Sequence, residues 1–326
     1  MRAYIVRRIL LMIPTLFIAS LIVFFSIRLI PGDIIDLMMA EVQTVSVIDK
    51  SALEKELGLD VPVVQQYGRW LGVLPQEDGS FSGLLQGDFG KSLRKRTPVI
   101  DDIMRRWPIT IELGLLGLIF AQLIAFPVGI ISGLRQDTWV DYLARSFAIA
   151  CIAVPGFWIG TMVIVFPSIW WGYTPPIVYV PFLKDPIENL KMFVVPAIVL
   201  GMGLSGTQMR LVRSQILEVL RQDFVRTAWA KGLRERAVVL RHVLKAALIP
   251  VVTIIGLNLA VLIGGTVIIE QIFLLPGLGG LLLGAAQRRD YTIITGVMLF
   301  FGIGMVIINL LVDVTYGFLD PRIRLR

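Results

Sequence analysis

Six long apolar stretches, separated by polar and basic segments, set the hydrophobic pattern of this chain. They run over 9–27, 113–134, 147–171, 192–209, 246–269 and 291–312. Each supplies about 20 mostly apolar residues, enough at about 1.5 Å per residue to cross roughly 30 Å of hydrocarbon. The third run is interrupted by Pro155 and Pro167. The pattern predicts an all-α membrane protein with six transmembrane helices. Its parts are an N-terminal span (1–30), a polar segment (31–108) and a five-span core (109–326) with a basic loop at 210–245.

The polar segment is too hydrophilic to span and too long for a simple connector. Ser51-Ala-Leu-Glu54 has capping-box spacing and opens a predicted helix that stops near Gly58, with Pro62 just beyond. A second amphipathic stretch runs from Val63 to Leu74, with Tyr67 and Trp70 suited to a membrane interface. The expectation is a small extracytoplasmic domain between the first two spans, acting as a spacer or touching a solute-binding partner.

Composition agrees with lipid as the solvent. Of 326 residues 56% are hydrophobic and only 17% charged, with a mean hydropathy of +0.78; soluble chains carry about a quarter charged residues. The net charge of +7 would by itself suit a nucleic acid, but its distribution argues otherwise. Arg2, Arg7 and Arg8 precede the first span, and Arg322, Arg324 and Arg326 follow the last. Nine further cations crowd the loop from Arg210 to Lys245, against Glu218, Asp223 and Glu235. An even number of spans puts both termini and this loop on one side, and the Lys/Arg bias makes that side cytoplasmic. The first span is too long for a secretory h-region and has no convincing cleavage site after it, so it reads as retained.

Two motif matches fail on context. Gly201-Met-Gly-Leu-Ser-Gly206 fits a dinucleotide fingerprint but lies inside the fourth apolar run, where small residues serve close helix approach. Gly90-Lys91-Ser92 resembles a phosphate loop, yet Leu85 stands where the first glycine belongs. No Walker loop is present, so an ATP-driven process would need its ATPase from another polypeptide. Cys151 is the single cysteine and His242 the single histidine. They sit in different settings, so neither a nucleophile–base pair nor a metal cluster within the spans is expected. A secondary transporter or channel working alone is the rival reading. It predicts an inverted repeat and charges paired at mid-membrane, and neither is evident.

The basic loop is the most informative region. Asp223-Phe-Val-Arg-Thr-Ala-Trp-Ala-Lys-Gly232 predicts a short helix opened by Asp223 at the positive end of its dipole and ended by Gly232. Phe224, Ala228 and Trp229 would form one exposed apolar face. Such a helix suits docking in a partner's groove or lying on anionic lipid, and the residues alone leave both open.

This loop resembles the EAA loop of ABC-importer permeases, in the form found in the dipeptide, oligopeptide and nickel subfamily. Further matching stretches are Arg7-Arg8 through Ile13-Pro14-Thr15 to Ile30-Pro31-Gly32-Asp33, Phe273 to Gly279 with Ala286 to Tyr291, and Asn309 to Asp313 through Tyr316 to Asp320-Pro-Arg-Ile-Arg324. Together they cover nearly the whole chain, and the first is similar to the B-type member of the usual permease pair. Arg226-Thr-Ala228 stands at the Glu-Ala-Ala position, and Pro250 comes later than in sugar-type permeases. Both features weaken a sugar-importer reading. The resemblance implies a type I importer permease fold in a prokaryotic plasma membrane. It implies a sister permease, two ATPase subunits that bind ATP and Mg, and an extracytoplasmic solute-binding protein. It implies no catalysis and no cofactor or metal on this chain. The coupling helix would be Asp223 to Gly232, with Phe224, Ala228 and Trp229 in contact and Gly232 at the turn. Candidate path residues are the polar groups of the spans: Glu112, Gln122, Asn258, Glu270, Asn309 and Asp313. Several lie near span ends, where helix positioning is an equal use.

Overall fold

The computed structural model describes residues 2–28 and 60–319. The expected Ile30–Asp33 motif, the Ser51–Glu54 capping box with its helix to Gly58, and Asp320–Arg324 lie outside the described residues. The helices are α1 (Arg2–Arg28), α2 (Val63–Leu71), α3 (Val99–Leu134), α4 (Trp139–Ala153), α5 (Gly156–Trp171), α6 (Pro186–Leu220), α7 (Asp223–Ala230), α8 (Glu235–Val238), α9 (Leu244–Ile272), α10 (Leu278–Gln287) and α11 (Tyr291–Leu319). Among the described residues no strand forms beyond an isolated bridge between Lys91 and Pro98.

Within the described residues, α1, α3, α6 and α11 are long and apolar enough to cross a membrane, and α4 with α5 forms a bent fifth candidate. The 29-residue α9 is the remaining apolar helix of the sequence pattern, with charge only at Lys245 and Glu270. Two expectations change. The second span is part of a 36-residue helix, about 54 Å long, that begins at Val99, with Asp101 and Asp102 in its first turn facing the positive dipole end. The third span is not one helix: α4 and α5 meet at 92°. Pro155 has no amide hydrogen and disfavours helical backbone at Val154, which is extended at φ −86°, ψ 122°. By contrast α6 starts crisply, because the Asp185 carboxylate accepts from the amides of Ile187 (3.1 Å) and Glu188 (3.2 Å) ahead of Pro186.

The chain divides into two compact units. The first comprises Met1–Ile9, Pro108–Gly280 and Gly304–Arg326. In it α3 and α6 run in the same direction and touch through glycines. An added Cβ on Gly201 would meet the Gly117 oxygen at 2.7 Å, and one on Gly129 would meet Val212 and the Met209 oxygen at 2.8 and 2.9 Å. Gly206 faces α4 in the same way, against the Ala148 oxygen at 2.8 Å, while Gly203 has nothing within 4 Å. The fingerprint-like string is therefore a packing surface at two of its three glycines. Helix α9 runs antiparallel to α6: Ile269 and Phe273 pack with Phe193 and Ala197, and Val243, Ala247 and Val251 with Val212 and Ile216. One buried ion pair locks α4 to α6. Asp141, without exposure, accepts from Nε and Nη2 of Arg213, each at 2.8 Å, and from Ser132 Oγ on α3 at 2.5 Å.

The second unit comprises Leu10–Trp107 and Leu281–Ile303. There Phe24 of α1 is clasped by Tyr67 and Trp70 of α2, with ring centroids 5.1 and 5.3 Å away, and Ser20 hydrogen-bonds the Tyr67 hydroxyl at 2.7 Å. These aromatics, expected at a membrane interface, are spent on holding α2 to α1. The loop before α3 is tied to the start of α11. Ser92 Oγ donates to Asp290 at 2.5 Å, while the same carboxylate accepts from the Ile293 amide at 3.3 Å.

Candidate coupling helix and solute path

Helix α7 forms where the loop pattern predicts it, but presents a different face. Its cap position is Gln222, and Asp223 is the first helical residue. Asp223 reaches Arg226 at 3.5 Å with both side chains exposed, a pairing worth little. The inward stripe is Val225 and Ala228, spaced i, i+3 and exposed by 0% and 4%, within the cluster built by Val212, Ile216 and Val243. The expected exposure of Ala228 is thus corrected: its small side chain is enclosed against its own subunit. Phe224 and Trp229 flank that stripe and are 47% and 45% exposed. Gly232 ends the element at φ +76°, its amide donating to the Trp229 carbonyl at 2.9 Å. Beyond it, α8 passes into a π-helical turn, Val239–Val243, carrying Arg241 and His242, before α9.

The six candidate path residues separate into three settings. Glu270 has no exposure. Its carboxylate accepts from Thr110 Oγ1 (2.7 Å) and from the amides of Gly279 (2.7 Å) and Gly280 (3.3 Å), while the Leu278 amide donates to Thr110. That is a cap at the N-terminus of α10, joined to α3. A side chain on Gly277 would fall on the same carboxylate. Asp313 pairs with Arg8 at 2.7 Å, and Asn309 is half-buried one turn earlier on α11. The other three carry unmet hydrogen-bonding capacity: Glu112 Oε1, both amide atoms of Gln122, and Nδ2 of Asn258 are buried and unpaired. Glu112 lies beside the Asn189 side chain at the start of α6 and the phenol of Tyr179. Burial and the adjacent Glu112 carboxylate push the Tyr179 hydroxyl up from its ordinary value, so it stays a neutral donor.

The sequence reading omitted Gln208, whose side chain has no exposure and whose two amide atoms are buried without partners. It lies inside the fourth apolar run, so the rule that selected Gln122 would have found it. Asn189, also unexposed, falls three residues before that run as bounded. Thr110 and Tyr179 gave no signal, because their roles depend on contacts distant in sequence.

A family model described as the binding-protein-dependent transport system inner membrane component matches residues 125–325, and its N-terminal companion matches residues 1–114. This chain belongs to that family. As such a permease it is a non-catalytic membrane subunit of an ATP-driven importer, with ATP hydrolysis on partner subunits. The dipeptide transport system permease protein DppB of Escherichia coli (strain K12) is 36% identical over 347 residues, covering 99% of each chain. The glutathione transport system permease protein GsiC of Escherichia coli O1:K1 / APEC is 34% identical over 321 residues, with 98% of each covered. Among solved structures, an inward-facing form of the MetNI methionine ABC transporter superposes with a TM-score of 0.56 at 16% identity, covering 67% of this permease and 96% of that chain. At that identity the likeness carries the fold alone, the type I importer permease fold.

Proposed function

We propose that this permease carries peptides inward across a prokaryotic plasma membrane. Its path lies between itself and a sister permease, and ATP and Mg are bound on two ATPase subunits. An extracytoplasmic binding protein delivers the solute. Both termini and the 210–245 loop face the cytoplasm, as the concentration of Arg and Lys there favours. Residues 31–108 include the segment exposed to the binding protein. The peptide assignment rests on relatives named for dipeptide, peptide and glutathione transport over nearly their full length.

The observation that carries the coupling role is the split face of α7. Val225 and Ala228 anchor it to the permease core, leaving Phe224 and Trp229 about half exposed in the middle of the basic loop. A helix held from below with two large aromatics outward suits insertion in a groove of an ATPase subunit. Gln122, Gln208 and Asn258, with Asn309, supply neutral hydrogen-bonding groups for a solute that crosses with its amides unpaired. Glu270 and Asp313 serve instead to position helix ends, because their carboxylates are already engaged.

The test is to purify the tagged chain in mild detergent and assay what accompanies it. A stoichiometric second permease and Walker-containing subunits with ATPase activity are expected. Recovery of the chain alone, with solute flux in liposomes that needs no ATP, would overturn the assignment.

A further inference from the structure

Three apolar runs come to their ends at one level of the first unit. Residues 128–132 of α3 close the 113–134 run, 144–148 of α4 open the 147–171 run, and 209–213 of α6 follow the 192–209 run. At this level the three helices line a cleft of about 180 Å³ including its open mouth. Val128, Ala148 and Met209 supply apolar lining, and Arg145, Arg210 and Arg213 all border the same space. On each helix the cleft marks the change from apolar to polar sequence. In a membrane that is the depth of the lipid headgroups.

The charges around the cleft do not balance. The Asp141 carboxylate is spent on the Arg213 fork, on Ser132 Oγ and on the Asp137 amide at 3.0 Å. Asp137 itself is exposed, with Arg135 in the same turn. Arg145 and Arg210 are exposed, and among the described residues neither forms an ion pair with a carboxylate. The fork uses only Nε and Nη2 of Arg213, so its Nη1 still has hydrogens to give. Guanidinium groups sharing one space match the several acceptor oxygens of a phosphate. Above the cleft the chemistry changes. Ile149 and Ile152 follow Arg145 at i+4 and i+7 on α4, exposed by 59% and 43%. On the antiparallel α6, Gly203 and Thr207 precede Arg210 at the same spacing, and both are exposed. Gly203 has nothing within 4 Å, and the Thr207 hydroxyl already donates to the Leu204 carbonyl at 3.2 Å. Ile152 lies against Gly206, where an added Cβ would meet it at 2.6 Å, so the two stripes border one seam. An apolar furrow floored by small residues thus leads from the cleft into the hydrocarbon depth.

We propose that this cleft and furrow bind one anionic phospholipid, with its phosphate on Arg145, Arg210 and Arg213 and an acyl chain along Ile149, Ile152 and Gly203. The order of the groups decides the occupant. Cations stand at headgroup depth and apolar or small residues at acyl depth, which is the order of groups along a phospholipid. Basic pockets between membrane helices are where anionic headgroups collect. A free anion would use the arginines and leave the furrow bare. Seated there, the lipid bridges α4 and α6 beside the Asp141–Arg213 fork. The inference rests on the membrane-spanning fold and is independent of which solute the importer carries.

The experiment places the assembled importer in phosphatidylcholine nanodiscs doped with phosphatidylglycerol that carries a photoreactive group on its acyl chain. Crosslinked peptides are then quantified, and the same group on phosphatidylcholine gives the comparison. Labelling by the glycerol lipid is expected on residues 149–152 and 203–207, well above that by the choline lipid. Arg145→Gln with Arg210→Gln should lower it about 30-fold, the product of about fivefold for each cation near an anionic headgroup. Arg145→Lys with Arg210→Lys keeps the charge and should keep most of the labelling. Both arginines are exposed, so the Gln pair should unfold near the wild-type midpoint. If it does not fold, the two headgroups compared on wild type decide alone. Equal labelling by the two lipids, or labelling unchanged in the Gln pair, overturns the site. Displacement of the lipid by added inorganic phosphate shows a cleft for a free anion and overturns it as well. A furrow that neither lipid labels is covered by protein in the assembled importer, and that result also sinks the proposal.

Discussion

At the scale of single residues, the buried acids of this permease differ by what surrounds them, and two of them allow direct stability tests. Glu270 is closed in by Thr110 Oγ1 and the amides of Gly279 and Gly280. Truncation in Glu270→Ala would leave a hydroxyl and two amides without an acceptor. Each unmet group costs about 1–3 kcal/mol, so a loss of about 3 kcal/mol is expected, read as a lower unfolding midpoint in detergent. Glu270→Gln keeps the shape and should cost less; equal costs would show that the hydrogen bonds matter little. Asp141 and Arg213 form a second case, a fork of two 2.8 Å bonds with Asp141 fully enclosed. Removing either partner alone strands the other and should cost about 3 kcal/mol, while the double replacement Asp141→Asn with Arg213→Met should be milder than the sum. A double-mutant cycle with a coupling near zero would sink that account. Glu270 was visible in the sequence as a charge at the end of an apolar run, whereas Asp141, midway between two runs, was not singled out. That Glu270 is committed was not visible, because Thr110 and Glu270 are 160 residues apart and no local pattern announces such a contact.

At the scale of elements, the sequence pattern located the apolar helices well and their ends less well. Hydrophobicity marks where lipid begins, whereas hydrogen bonding marks where a helix begins, and in α3 these differ by 14 residues from Val99 to Leu113. The 92° bend between α4 and α5 was foreshadowed by Pro155, yet a proline inside an apolar run is equally compatible with a mild kink. Pro127, within α3, is an instance of a proline the helix accommodates. The packing role of the glycines in the fourth run was legible, and it leads to a prediction. In Gly129→Val the added branches would press on Val212 and on the Met209 backbone oxygen, where α3 and α6 are in close contact. Backbone atoms cannot step aside as a flexible side chain can, so a loss of about 1–3 kcal/mol is expected. Gly203→Val, with open space around it, should cost far less. Measured unfolding midpoints that rank the pair the other way would refute the close-approach reading. The turn after α7 gives a second test. Gly232 sits at φ +76° with no atom within 4 Å of a would-be Cβ, so backbone conformation and not crowding opposes a side chain. Gly232→Val should cost about 1–2 kcal/mol locally and re-aim α7. Uptake should be abolished while insertion stays normal; normal uptake would remove Gly232 from the coupling device.

At the scale of the whole molecule, the coupling proposal depends on continuity within the first unit. Helix α6 is a single element of 35 residues, about 52 Å long. Near its start stands Asn189, beside Glu112, and near its other end Val212, Ile216 and Val219 carry Val225 and Ala228 of α7. Along its length it is fastened to α3 by close glycine contacts and to α4 by the Asp141–Arg213 fork. A push on α7 therefore reaches α6 through packed side chains that have little freedom to absorb it. This continuity was only half legible: the loop motif predicted a docking helix, but which of its residues face inward is decided by a core assembled from α6 and α9. The contact proposed to start the push is the exposed pair Phe224 and Trp229. Covering the exposed halves of the two rings would remove about 200 Å² from water, worth about 5 kcal/mol before ordering costs are subtracted. The double replacement Phe224→Ala with Trp229→Ala should consequently reduce co-purification of the ATPase subunits by about two orders of magnitude or more, since about 1.4 kcal/mol is tenfold. Because neither ring contributes to the cluster that seats α7, the unfolding midpoint and the yield of the permease should stay close to wild type. Ala228→Leu should behave oppositely, destabilising the permease by overfilling an enclosed position. A double variant that still holds its ATPases but no longer binds anionic vesicles would instead assign α7 to the lipid surface.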